Sequence, residues 1–242
     1  MNPILDHPGV LRAFAGPQTL FAFDYDGTLA PIVDDPAQAR MRDTTRLLLT
    51  RLAQRSPCIV ITGRSRQDVR PLLEGVPLIE IVGNHGLEAA GLEPLRYAAR
   101  VQSWQARLQP QLQAQTGVRI ENKKFSLSVH YRQSADAEAA REAILAACAP
   151  LEGLRRVGGK CVVNLLPVEA AHKGAALLAA HARLGTRRVI FVGDDETDED
   201  VFTLVLNDAL LGIRVGLSTD SQARYGLRSQ NEMEALLELL VV

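Results

Sequence analysis

The 242 residues suit one large domain or one domain carrying an insertion, and 47% hydrophobic with 23% charged residues is ordinary for a globular chain. A formal net charge of -1 leaves no global field for nucleic acid or an anionic membrane, so neither is an expected partner and any anion binding must be local. The apolar runs are too short to span a bilayer and the first residues do not read as a signal peptide, while Cys58, Cys148 and Cys161 lack paired spacing and are expected as core thiols in the cytoplasm.

In chain order, "TLFAFD" (19–24) is a continuous apolar strand of the kind buried on both faces of a parallel sheet. A helix is expected over 41–55, a second buried strand over 58–62, a short helix over 65–75 and a third strand over 77–83. This βαβαβ order predicts an α/β fold, a Rossmann-like parallel sheet with helices on its faces. The pattern then changes. A helix over 97–117, interrupted near Pro110, precedes an alternating antiparallel stretch (118–132). Next come a helix over 134–150 capped by Ser134 and two strands in 154–167 around Gly158-Gly159. The first pattern returns with a helix (172–185), a strand ending in acid (188–195), a helix (198–209), a strand (212–216) and a closing helix (231–240). The expected organisation is a core domain in two pieces, 1–87 and 167–242, with an inserted α+β cap domain at 88–166.

In open parallel sheets, ligands bind beyond the carboxyl ends of the strands. Asp24 and Asp26 follow the first strand, Thr62 and Arg64 the second, Asn84 and His85 the third; Lys173 opens a helix, and Asp194, Asp195 and Asp198 follow a later strand. The carboxylates would repel one another without a cation, and oxygen ligands in this number suit Mg²⁺. Lys173 and the Thr62 hydroxyl supply a point charge and a donor for phosphate oxygens, and Gly27 permits a turn whose amides can approach phosphate. The set reads as a phosphoryl-transfer site. Asp24 is the expected nucleophile, Asp26 the general acid and base, and Asp24, Asp26, Asp194, Asp195 and Asp198 the candidate metal ligands.

Taken together, "DYDGTL" (24–29), "TGR" (62–64), the lysine of "HKG" and "GDDETDED" (193–200) resemble the four motifs of the haloacid dehalogenase phosphatases. "GNHG" (83–86), "ENKKFSLSVHYR" (121–132), "GKCVVN" (159–164) and "GDDETDEDVF" (193–202) are similar to the trehalose-6-phosphate phosphatase family. That resemblance implies Mg²⁺-dependent hydrolysis of a sugar phosphate through an aspartyl-phosphate. It also implies a cap that closes over the sugar and contacts it through Glu121 and Lys123, with His130 downstream. Asn164 stands where the family usually has a glutamate. The expected substrate-binding set is therefore Gly63, Arg64, Asn84, His85, Glu121, Lys123, His130 and Asn164.

Simpler roles exist for several of these residues. The acidic cluster after 193 can cap a helix, Thr62 can bond its own backbone, His85 can hold a loop, and Glu121 with Lys123 can form an exposed ion pair. Other functions also remain open: a sister phosphatase acting on sucrose 6-phosphate, a glycosyl-phosphoglycerate or a hexose phosphate; a phosphotransferase or mutase; and a non-catalytic sugar-phosphate sensor.

Overall fold

The structure, a computed structural model, describes residues 1–33, 35–206 and 208–241. They form two compact units, Met1–Ala90 with His172–Val242, and Gly91–Ala171. Along the chain the first unit supplies β1 (Asn2–Pro3), α1 (Pro8–Phe14), β2 (Thr19–Phe23), α2 (Asp43–Ala53), β3 (Cys58–Ile61), α3 (Arg66–Val69) and β4 (Glu80–Val82). The second unit supplies α4 (Ala98–Leu112), β5 (Arg119–Asn122), β6 (Leu127–His130), α5 (Ala137–Cys148), β7 (Leu154–Gly159) and β8 (Val162–Pro167). The first unit resumes with α6 (Lys173–Leu184), β9 (Arg188–Gly193), α7 (Glu199–Phe202), β10 (Leu210–Val215), β11 (Tyr225–Leu227) and α8 (Met233–Val241).

The first unit is an α/β sandwich around a seven-stranded sheet of order β1-β11-β10-β9-β2-β3-β4, with every pairing parallel. Burial on both faces explains the unbroken apolar run of β2. Phe21 and Phe23 pack with Leu49, Leu52 and Leu236 on one side, and Leu20 and Ala22 pack with Leu177 and Phe191 on the other. From β2 the chain moves outward through β3 and β4, then later fills the opposite side with β9 and β10. The direction of winding therefore reverses between β2 and β9. Their carboxyl ends flank the crevice where open α/β sheets hold ligands.

In the second unit the sheet is antiparallel, in the order β5-β6-β8-β7. One face carries Leu127, Val129, Val163 and Leu165 onto Val101, Trp104 and Leu108 of α4 and Ile144 of α5. By strand alternation the other face carries Glu121, Ser128 and Asn164, which are paired across β5, β6 and β8 in one row.

Several local expectations are corrected. The helix cap expected at Ser134 belongs to Asp136, whose carboxylate accepts from the Ala139 amide at 3.0 Å, while Ser134 donates to the Thr116 carbonyl. The Gly158-Gly159 pair stays in β7, and the turn into β8 lies at Lys160 and Cys161, where Cys161 adopts a φ of 61°. Helix α4 passes through Pro110 to Leu112. The helix expected over 65–75 is α3 followed by a 3-10 turn, Arg70–Leu73, because Pro71 has no amide to extend α-helical bonding. Of the helix expected over 198–209, only α7 forms, after a 3-10 turn at Glu196–Asp198; position 207 lies outside the described residues. Strands β1 and β11 are too short to carry a periodic signal and exist because they pair with each other and, through β11, with β10. No described helix is long and apolar enough to cross a membrane. Cys58 and Cys148 are buried free thiols, pushed up to about 12 and about 11 by burial, so neither is a ready nucleophile.

Candidate active site

Asp24 leaves the end of β2 with its amide still on the ladder, donating to the Val192 carbonyl of β9 at 2.8 Å. Across that junction Lys173, the first residue of α6, reaches back to donate to Asp24 Oδ1 at 3.0 Å and to Asp198 Oδ1 at 2.7 Å. The other Asp198 oxygen accepts from the amides of Asp194 and Asp195, at 2.8 and 2.9 Å. Both oxygens of Asp198 are thus engaged, one as the cap of the acidic turn and one on the lysine. The capping role and the site role coexist in one residue. Gly27 closes the group. It adopts a φ of +81°, and a Cβ there would fall on the Asp194 carboxylate, so the turn after Asp24 requires glycine.

Oxygens of Asp24, Asp194 and Asp198 lie within 4.8 Å of one another, and all three residues are buried. Burial pushes the Asp24 carboxyl well above the usual range; Lys173 counters this, whereas Asp198, Asp194 and Asp26 add to it. Burial opposes the charge of Lys173 too, but Asp198 and Asp24 outweigh it and hold the ammonium protonated beyond lysine's ordinary range. One ammonium therefore answers two carboxylates, Asp24 and Asp198, in a buried cluster of three. An all-oxygen cluster with surplus negative charge fits a hard divalent cation. Within the cluster Asp198 has both of its oxygens engaged by Lys173 and by the amides of Asp194 and Asp195. Asp195 is half-buried and stands outside this group.

Beside it, the turn after β3 is fastened from β4. Asn84 donates its amide to the Arg64 carbonyl at 2.7 Å, and His85 donates its own to the Thr62 carbonyl at 2.9 Å. Both Asn84 and His85 take left-handed backbone angles, φ of 50° and 57°, costly for residues with a Cβ. The His85 ring is buried against Gly63, where a Cβ would lie 2.5 Å from its Cε1. The Thr62 hydroxyl accepts from the Arg64 amide at 3.2 Å, a bond to its own local backbone. Arg64, one of the expected substrate-binding residues, grips Asp26, with Nε on one carboxylate oxygen and Nη2 on the other, both at 2.7 Å.

In the second unit, Glu121 and His130 meet at 2.7 Å through Oε2 and Nε2. Burial would raise the Glu121 carboxyl, yet the His130 hydrogen bond, with Lys123 behind it, brings it down to about 2. Asn164 is buried, and its Oδ1 accepts from the Ser128 hydroxyl at 2.7 Å. Lys123 is half-buried, and its amide donates to the Ser126 carbonyl. Ser128 was not among the residues singled out by sequence. Its signal is a hydroxyl between Leu127 and Val129, on the face away from the apolar core.

The fold that results is a parallel α/β sheet with acids at its reversal point, interrupted in sequence by a separate antiparallel unit. Across 100% of this chain and 98% of the other, the fold matches the C-terminal domain of Candida albicans trehalose-6-phosphate phosphatase, with a TM-score of 0.82 at 23% identity. The sequence pattern of the family described as trehalose-phosphatase matches residues 22–231, and the chain belongs to that family. It is 31% identical to a trehalose 6-phosphate phosphatase of Zea mays over 96% of this chain and 72% of the maize protein. Against the trehalose-phosphate phosphatase of Mycobacterium avium (strain 104) it is 35% identical, over 86% of this chain and 56% of that protein.

Proposed function

We propose that this protein is a phosphoric monoester hydrolase that splits trehalose 6-phosphate into trehalose and phosphate. The observation that carries the reading is the buried constellation of Asp24, Lys173, Asp194 and Asp198 at the β2/β9 crevice, in a chain of the trehalose-phosphatase family.

Asp24 attacks phosphorus, and the bond to the sugar oxygen breaks as the Asp24–phosphorus bond forms. Asp26 gives its proton to the departing sugar oxygen, then takes one from the water that opens the aspartyl-phosphate and restores Asp24. Lys173 keeps its charge throughout and steadies the nucleophile and the transferring group. The Thr62 hydroxyl and the amides around Gly63 and Gly27 are assigned to phosphate oxygens. Asp24 and Asp194 would hold Mg²⁺, with Asp26, Asp195 and Asp198 supporting, and the ion would supply charge neutralisation on the phosphoryl group. Asn84 and His85 are assigned to the rim of the substrate site. Glu121, Lys123, His130 and Asn164 are assigned to the sugar, where ionised Glu121 is an acceptor and the amide of Asn164 a neutral contact. Three free cysteines favour a reducing compartment, and we place the enzyme in the cytoplasm.

The test is phosphate release across a panel holding trehalose 6-phosphate, sucrose 6-phosphate, a glucosyl-phosphoglycerate and glucose 6-phosphate, each with Mg²⁺ and with a chelator. Highest kcat/KM on trehalose 6-phosphate, lost on chelation, is expected. Preference for another sugar phosphate would overturn the substrate, and absence of metal-dependent release on every member would overturn the phosphatase reading.

A further inference from the structure

Arg64 has a place in this site that its motif position does not disclose. Its guanidinium meets Asp26 as a planar fork, two parallel N–H···O bonds of 2.7 Å. The same group lies over the Tyr25 ring, 5.5 Å from the centroid, and the Tyr25 hydroxyl is tied to the Ala39 carbonyl at 2.8 Å. The Arg64 side chain is 13% exposed, whereas that of Asp26 is 37% exposed. The partly open carboxylate is therefore held by the more enclosed cation. Behind Arg64 stand the left-handed Asn84 and His85, whose amides clamp the carbonyls on either side of Gly63. Backbone strain of this kind persists only where surrounding contacts enforce it. Here it is spent on fixing the turn from which Arg64 extends.

We infer that Arg64 is a positioning residue that holds the Asp26 carboxyl in its working orientation for proton transfer to and from the reacting oxygens, not a contact to the substrate. The inference rests on the phosphatase reading, in which Asp26 protonates the sugar oxygen as the phosphorus–oxygen bond breaks and later receives a proton from water. A fork with two fixed bonds sets the plane of a carboxylate; a lysine, with one rotatable ammonium, does not. Misplacing a catalytic group by an ångström costs up to about 10²-fold.

The experiment compares Arg64→Ala, Arg64→Lys, Asp26→Asn and the double variant Arg64→Ala/Asp26→Asn on trehalose 6-phosphate and on p-nitrophenyl phosphate, whose leaving group departs without a proton. Arg64→Ala is expected to lower kcat/KM on the sugar phosphate by about 10–10²-fold, and by a factor at least about ten smaller on the nitrophenyl ester. Arg64→Lys should fail to restore the sugar-phosphate rate. In the Asp26→Asn background the same substitution should add almost nothing, since the group it positions is gone. Inhibition by inorganic phosphate should not weaken in Arg64→Ala. Equal losses on both esters, full additivity in the double variant, rescue by lysine or loss of phosphate inhibition would each overturn the inference. A wild-type protein inactive on both esters would instead overturn the phosphatase reading.

Discussion

The two units place their polar residues in opposite ways. In the parallel unit the charged groups lie past the carboxyl ends of buried strands, and Asp24, Lys173 and Asp198 are themselves buried. In the antiparallel unit, Glu121 and His130 lie along the strands on the face away from the helices, and each is about a third exposed. Burial makes the first set mutually dependent, because a charge withdrawn from water must be answered by its neighbours. Water screens the second set, so its pairs are individually weaker and freer to be exchanged. The buried set is therefore the more rigid of the two, and the half-exposed set the more easily altered.

That contrast can be broken at several points. The largest effect should come from Asp24→Asn, which removes the nucleophile and lowers kcat by a factor on the order of 10⁴–10⁶ by analogy with other nucleophile deletions. Circular dichroism should show the fold retained; a variant turning over at the wild-type rate would remove Asp24 from the mechanism. Next is Lys173→Met, which leaves two buried carboxylates unanswered and should cost about 3–5 kcal/mol in metal-free urea unfolding at neutral pH. Magnesium should recover part of that loss, and an unchanged midpoint would show that the three-way contact is not a stabilising one. The smallest effect belongs to the antiparallel unit. Glu121 falls from an ordinary value of 4.5 to about 2 in the folded protein. Its pairing therefore stabilises fully above pH 4.5 and is lost as the pH drops through 2. Glu121→Gln should cost about 1 kcal/mol at neutral pH, after allowance for solvent screening. The gap from the parent protein should close as the pH falls; a gap that widens in acid would contradict the pairing.

Much of the parallel unit was legible because its signals are local. An unbroken apolar strand with polar residues at its end can be read within a dozen residues, and four such ends in order, two of them acidic, define a crevice before any tertiary contact is known. Boundaries failed where a single residue decided them. Pro71 divided one helix, and Cys161 moved a turn away from two glycines that stayed in their strand. The pairing of Ser128 with Asn164 was not legible, because register between β6 and β8 joins residues 36 apart in the sequence.

By itself, then, the sequence determined the alternation of strand and helix, the acids and the lysine available at the strand ends, and the interruption by a different kind of sheet. Those properties follow from side-chain type and short-range periodicity. Only the tertiary structure decided what each group is bonded to. Asp198 is shared between two amides and Lys173, Arg64 is turned onto Asp26 across 38 positions, and His85 is pressed onto Gly63. Such assignments depend on rotamers and turn angles fixed by distant segments packing together, and no spacing along the chain encodes them directly.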